Sequence, residues 1–122
     1  MVAHDVFWHT PDVILCIRLT GHLDVGEANV LNDEMQSILD SCDGPIALVI
    51  DAEEMDLSAD FAGIRSQMTY TDHPLIDRLI VFTTHRLTRT WMQLIHKQKQ
   101  DVTRICTSQY ELGQQIHQYL KR

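Results

Sequence analysis

The sequence has few of the features that mark membrane, secreted or zinc-binding proteins. Its longest apolar runs, residues 13–17 and 46–50, are far shorter than the ~20 residues that a membrane-spanning helix needs. The first residues have neither the basic nor the apolar region of a signal peptide, so we expect no export. The three cysteines, Cys16, Cys42 and Cys106, form no CxxC pair and are too few for a disulfide framework. We therefore expect a cytoplasmic protein with reduced, structural cysteines and no membrane span.

Basic residues are scarce in the first part of the chain. Residues 1–77 contain 15 of the 17 acidic residues and two of the ten basic ones, a net charge of −13, whereas residues 78–122 have a net charge of +6. The total of −7 argues against nucleic-acid binding, because phosphate neutralisation supplies most non-specific affinity. If the two parts stay apart in space, this polarity could steer a charged partner or favour head-to-tail self-association. The alternative is that helix surfaces simply differ in charge.

Apolar periodicity predicts the secondary structure. The 122 residues suit one domain, and no repeat or linker divides them. Apolar, β-rich runs predict strands at residues 2–9, 13–20, 46–50, 78–84 and 102–107, with a helix after each strand except the first. The order β-β-α-β-α-β-α-β-α predicts an α/β fold with a mixed, mostly parallel sheet of four to five strands and four helices. The first two strands are expected to pair as an antiparallel hairpin.

Local signals predict where three of the helices begin. Asp24 with Glu27 and Ser108 with Glu111 have the spacing of capping boxes, in which a side-chain oxygen accepts a hydrogen bond from a backbone N–H in the first turn. The second helix is predicted to begin near Ser58. The simplest role for this serine is that of the N-cap.

The third predicted helix combines an apolar stripe with a basic surface. The stripe predicted to face the core is formed by residues at helical spacing: Leu87, Trp91, Leu94 and Ile95. Met92 lies off that stripe, and we expect it to be exposed. The basic residues form a candidate partner face: Arg86, Arg89, Lys97 and Lys99. A basic helix with exposed apolar residues can dock on an acidic partner or a membrane surface, although a solvated charged face explains the same pattern.

The densest acidic cluster follows the third predicted strand: Asp51, Glu53, Glu54, Asp56 and Asp60. In open α/β sheets, ligands bind beyond the carboxyl ends of the parallel strands. Carboxylates there could bind Mg²⁺ or a protein partner, but acidic residues near a helix start are also stabilised by the helix dipole. We expect a solvated, helix-capping cluster and no metal.

Motifs that indicate catalysis are missing. The seven histidines have no metal-binding spacing, and the sequence contains neither a glycine-rich phosphate loop nor a GxSxG nucleophile elbow. We therefore expect a protein that is not an enzyme, with no catalytic residues and no cofactor.

Four segments of the sequence carry a resemblance to a known family. They are residues 13–24 (VILCIRLTGHLD), 46–51 (IALVID), 78–82 (RLIVF) and the strand-to-helix step at 108–111. Together they resemble the STAS superfamily, in particular its divergent SpoIIAA-like branch related to anti-sigma-factor antagonists, over residues 2–121. The resemblance implies one SpoIIAA-like domain, residues 1–122, that acts through protein–protein contact. It also implies a partner that is an anti-sigma factor or a kinase-like protein.

The same resemblance suggests regulatory residues. Family members have an Asp-Ser pair after the central strand, followed shortly by glycine, and a partner kinase phosphorylates the serine. Ser58 lies near that position but follows Leu57 rather than aspartate. The candidate regulatory or interaction residues are therefore Asp51, Asp56, Ser58 and Asp60.

Two further hypotheses concern what the protein binds. A related fold group binds lipids, so the alternative function is the binding of a small apolar ligand between the sheet and the later helices. Self-association as a homodimer is a second expectation.

Overall fold

A computed structural model describes residues 4–57 and 60–121 of the chain. The strands are β1 (His4–Thr10), β2 (Ile14–His22), β3 (Ile46–Asp56), β4 (Ile76–Phe82) and β5 (Thr103–Cys106). The helices are α1 (Val25–Asp40), α2 (Phe61–Gln67), α3 (Arg86–Ile95) and α4 (Gln109–Leu120). Two short 3-10 helices, Thr69–Asp72 and Lys97–Val102, precede β4 and β5.

The five strands form one sheet in chain order, β1-β2-β3-β4-β5. β1 pairs antiparallel with β2, and each later strand pairs parallel with the strand before it. The predicted element order and the mixed, mostly parallel sheet are therefore confirmed. Because the order in space follows the order in sequence, β1 to β3 of the acidic first part and β5 of the basic second part lie towards opposite edges of the sheet. α4 of the second part, however, shares a core cluster with β2 and β3, so the two parts are not fully separated.

The two faces of the sheet are covered unequally. Leu15, Ile17 and the alternate residues of the next strands pack against α1, α2 and α3 in the larger core cluster. Ile14 and Cys16 point to the opposite face, where Tyr119 of α4 joins a smaller cluster. Successive residues of each strand alternate between the two faces. Since helices cover both faces, the central strands are nearly all apolar.

Three helices begin with a side-chain cap. Asp24 Oδ1 accepts a hydrogen bond from the Glu27 backbone N–H at 2.8 Å, and Ser108 Oγ accepts one from the Glu111 backbone N–H at 3.1 Å. Both caps were predicted from spacing and are confirmed. The third cap belongs to α2, and its residue differs from the prediction.

Asp60, and not Ser58, caps α2. Asp60 Oδ1 accepts a hydrogen bond from the Gly63 backbone N–H at 3.0 Å, which satisfies a donor that the first turn of the helix leaves free. Gly63 leaves space for this carboxylate, since a Cβ on Gly63 would lie 2.6 Å from Asp60 Oδ2. Ser58 itself lies outside the described residues.

Removing this cap should weaken the protein measurably. We expect Asp60→Ala to lower the free energy of unfolding by ~0.5–2 kcal/mol, because a first-turn N–H loses its acceptor. Asp56→Ala removes a nearby exposed carboxylate from the end of β3 and serves as the matched control. Urea denaturation of both variants measures the difference, and equal losses in the two would contradict the capping role.

The orientation of α3 also differs from the prediction. Its buried side is formed by residues 88, 91, 92 and 95, and Met92 is fully buried. Leu87 and Leu94, which were expected in the core, are 70% and 48% exposed. Trp91 packs edge-on against Phe61 of α2, with ring centroids 5.5 Å apart. This contact and the burial of Met92 place the two leucines at the surface.

Candidate functional site

The acidic residues that follow Ile50 lie on a strand and not in a loop. The prediction ended the third strand at residue 50, whereas β3 continues to Asp56 because β2 extends beside it, with His22 opposite Asp56. Ala52 and Met55 are buried in the core and hold this part of β3 against the helices. The carboxylates at the carboxyl edge of the sheet therefore have defined directions.

Asp51 is paired across the sheet. Its Oδ2 lies 3.6 Å from Nε of Arg18, the residue opposite it on β2. The Arg18 guanidinium also lies over the Phe7 ring, 5.4 Å from the ring centroid. Asp51 and Arg18 line an open cleft beside Gln109 at the start of α4. The cationic partner offsets the charge of Asp51.

Glu53 connects β3 with the segment after β4. It accepts hydrogen bonds from the Thr84 hydroxyl and, at 2.6 Å, from the Thr84 backbone N–H. His85 Nε2 lies 3.3 Å from Glu53 Oε1. The hydrogen bond from the Thr84 hydroxyl is the main cause that lowers the pKa of Glu53 below its usual value, and the Thr84 amide and His85 act in the same direction.

Glu54 and Asp56 carry the remaining charge of this edge. Both side chains are exposed. Of the candidate regulatory residues, Asp51 and Asp56 thus lie on β3, whereas Asp60 caps α2. Thr84 and His85 complete the cluster and were missed in the sequence, although they follow the neighbouring parallel strand and such strand ends meet at one edge.

The four candidate basic residues do not share one surface. Arg86 and Lys97 are exposed, and Arg89 is half-buried. Lys99 points inward, where Nζ donates hydrogen bonds to the backbone oxygens of His73 at 2.9 Å and Ile76 at 3.1 Å. Lys99 therefore joins the segment before β5 to the start of β4 and is not free for a partner.

This difference predicts different consequences for two lysines on the same 3-10 helix. Lys99→Met should lower the free energy of unfolding by about 1–3 kcal/mol, since two carbonyl oxygens lose a charged donor. Lys97→Met, a change of equal size on an exposed side chain, should cost less than about 0.5 kcal/mol. Thermal and urea denaturation would measure both variants, and a loss for Lys97→Met as large as that for Lys99→Met would count against the assignment.

A cavity of about 210 Å³ lies where the alternative hypothesis places an apolar ligand, between the sheet and the later helices. Its lining is largely polar: Gln93, His96, Gln100, Thr103 and Ile105. Ligand sites for drug-sized molecules usually have ~300–1,000 Å³ and apolar walls. This cavity therefore gives little support to the binding of a lipid.

Two of the cysteines are buried, unpaired thiols of the smaller core. Burial raises the pKa of Cys16 to about 11, and it also raises the pKa of Cys106. Both act as small apolar residues, because their thiolate forms are disfavoured. Among residues 4–57 and 60–121, no group of three His, Cys, Asp or Glu side chains is arranged to bind a metal ion. In the same residues, no helix is long and apolar enough to cross a membrane.

Comparisons with known proteins identify the fold. No family model and no curated protein matches the sequence. Among solved structures, the chain is similar to an uncharacterized DUF3478-family protein with a SpoIIAA-like fold from Shewanella loihica PV-4, with a TM-score of 0.64, 16% identity, and coverage of 89% of this chain and 88% of that one. It is also similar to the Bacillus cell fate determinant SpoIIAA in its phosphorylated form, with a TM-score of 0.58, 14% identity, and coverage of 92% and 98%. The chain therefore has a STAS/SpoIIAA-like fold, as the sequence predicted.

Proposed function

We propose that this protein is a regulatory module that binds another protein at the carboxyl end of β3 and is not an enzyme. The observation that carries the proposal is the exposed charge of Glu54 and Asp56 at this end, on a fold shared along nearly its whole length with SpoIIAA. Since the exposed charge is negative, the partner surface is expected to be basic.

The resemblance to anti-sigma-factor antagonists supports the same class of role. By that resemblance the partner is an anti-sigma factor or a kinase-like protein, and the compartment is the cytoplasm. Three free cysteines, two of them buried, fit a reducing compartment.

Capture of the partner with charge-reversed variants tests the proposal. We expect the wild-type protein, fixed to a resin, to retain a partner from a lysate of its source cell, and Glu54→Lys/Asp56→Lys to reduce the retained amount at least tenfold. The control, Asp43→Lys, reverses an exposed charge in the turn before β3, at the other end of that strand. The proposal fails if no protein prefers the wild type, or if both changes reduce its retention equally.

The regulatory role suggested for Ser58 remains a prediction, and the same assay can test it. A phosphate there would add nearly two negative charges close in sequence to Asp56 and Asp60, and like-charge repulsion opposes its binding at the helix start. We therefore expect Ser58→Asp and Ser58→Ala to retain equal amounts of the partner. A tenfold loss in Ser58→Asp alone, with an unchanged melting temperature, would instead show a phosphorylation switch.

A further inference from the structure

The outer side of α3 exposes two large apolar side chains among basic ones. Leu87 and Leu94 lie two helical turns apart, about 10.5 Å along the helix axis, and are 70% and 48% exposed. Arg86 precedes Leu87, the small Thr90 lies between the two leucines on the helix, and Lys97 begins the 3-10 helix that follows α3. All three are exposed. We call these five residues the α3 face. An apolar patch rimmed by polar residues can mark a surface that another protein covers.

The outer side of α1 has the complementary chemistry. Val30 is 55% exposed and lies opposite the buried stripe of Leu31, Met35 and Leu39. Around it are the exposed carboxylates of Asp33 and Glu34 and the small residues Gly26 and Ser37. We call these five residues the α1 face. Val30 and Ser37 are also two helical turns apart, about 10.5 Å. A leucine of the α3 face beside Val30 therefore places the other one over Ser37, whose small side chain leaves room for it.

Within one molecule these two faces do not meet. α1 and α3 pack on the same face of the sheet, but α2 lies between them. Asn29 of α1 donates a hydrogen bond to Gln67 of α2 at 2.6 Å, and Phe61 of α2 contacts Trp91 of α3. Each outer face is therefore available to a separate molecule.

We propose that the α3 face of one copy of this chain docks on the α1 face of a second copy. The signs of charge are opposite across this contact, whereas two α3 faces or two α1 faces would repel each other. The net charge of −7 opposes association only weakly, since at physiological salt charges interact over about 8 Å and the local pairs dominate. The contact is heterologous, because it joins two different surfaces. It is independent of the partner proposed for the carboxyl end of β3.

Two charge-reversed variants and their mixture test this contact. Leu87→Glu/Lys97→Glu makes the α3 face acidic, and Val30→Lys/Asp33→Lys makes the α1 face basic while leaving the Glu34–His4 contact intact. In sedimentation velocity at about 50 mM salt, we expect the wild type to associate as its concentration rises. Each variant alone should associate at least about tenfold more weakly.

Mixing the two variants is expected to restore association, because each retains the natural face that the other has lost. Raising the salt to about 0.5 M should weaken the wild-type contact by screening its charges. As a control, Gln118→Glu/Lys121→Glu makes similar charge changes on two exposed residues at the C-terminal end of α4 and should associate as the wild type does. Circular dichroism verifies that every variant is folded.

Three results would overturn the proposal. The first is a wild-type protein that stays monomeric at low salt at the highest concentration reached. In that case any partner of the α3 face would be a different protein. The second is a folded variant that associates as strongly as the wild type, which would place the contact elsewhere. The third is a mixture of the two variants that stays monomeric.

Discussion

Met92→Ala is expected to lower the free energy of unfolding by about 2–5 kcal/mol, the usual range for truncating a large buried side chain to alanine. Met92 is fully buried between α3 and the sheet, in the same cluster as Trp91 and Ile95. The loss includes both the burial of the side chain and the cavity that remains. Equilibrium urea denaturation, with the slope checked for two-state behaviour, measures it.

The matched control is Leu87→Ala on the same helix. Leu87 is 70% exposed, so its truncation should change the free energy of unfolding by less than about 0.5 kcal/mol. Periodicity alone predicts the reverse order, with Leu87 costly and Met92 tolerant. A larger loss for Leu87→Ala than for Met92→Ala would support the orientation that periodicity predicts and contradict the one in the structure.

The ambiguity of α3 shows what periodicity cannot decide. Two apolar stripes share Trp91 and Ile95, and they differ in whether Leu87 and Leu94 or Thr88 and Met92 complete the buried side. Leucine is the more hydrophobic residue, so the sequence favours the first stripe. The packing of Trp91 on Phe61 selects the second, and this contact joins residues from different helices that no local pattern relates.

The strands and two caps could be predicted because their causes are local. Buried parallel strands have continuous apolar runs, and a cap needs only a side chain three residues from its donor. The extension of β3 has a tertiary cause, since the end of β2 pairs with a segment rich in acidic residues. The cluster of Glu53 with Thr84 and His85 also depends on which strands are neighbours. Element order was therefore easier to predict than the direction of single side chains.

His96 should make the protein lose stability as the pH falls from about 6.5 to about 4. Its Nδ1 donates a hydrogen bond to the Met92 backbone oxygen at 2.9 Å, and its Nε2 is buried with no partner among the described residues. Burial lowers the pKa of His96 from 6.5 to about 4, although the Met92 oxygen and the charge of Asp72 act in the opposite direction. In this range of pH the unfolded chain binds a proton at residue 96 that the folded protein does not. Stability therefore falls with falling pH.

The size of this effect and its limits make it testable. A pKa difference of this size corresponds to about 3 kcal/mol of the free energy of unfolding. This contribution is fully present above the unfolded-state pKa and fully lost below the folded-state pKa. In His96→Asn, the side-chain amide can replace the Nδ1 donor but cannot bind the proton. Between pH 7 and pH 4, the free energy of unfolding of this variant should therefore fall by about 3 kcal/mol less than that of the wild type. The control His22→Asn removes an exposed histidine and should leave the contribution of His96 in place. If urea denaturation at a series of pH values gives the wild type and His96→Asn the same pH dependence, then His96 is not held neutral in the folded protein, and acid destabilisation has its source in the carboxylates instead.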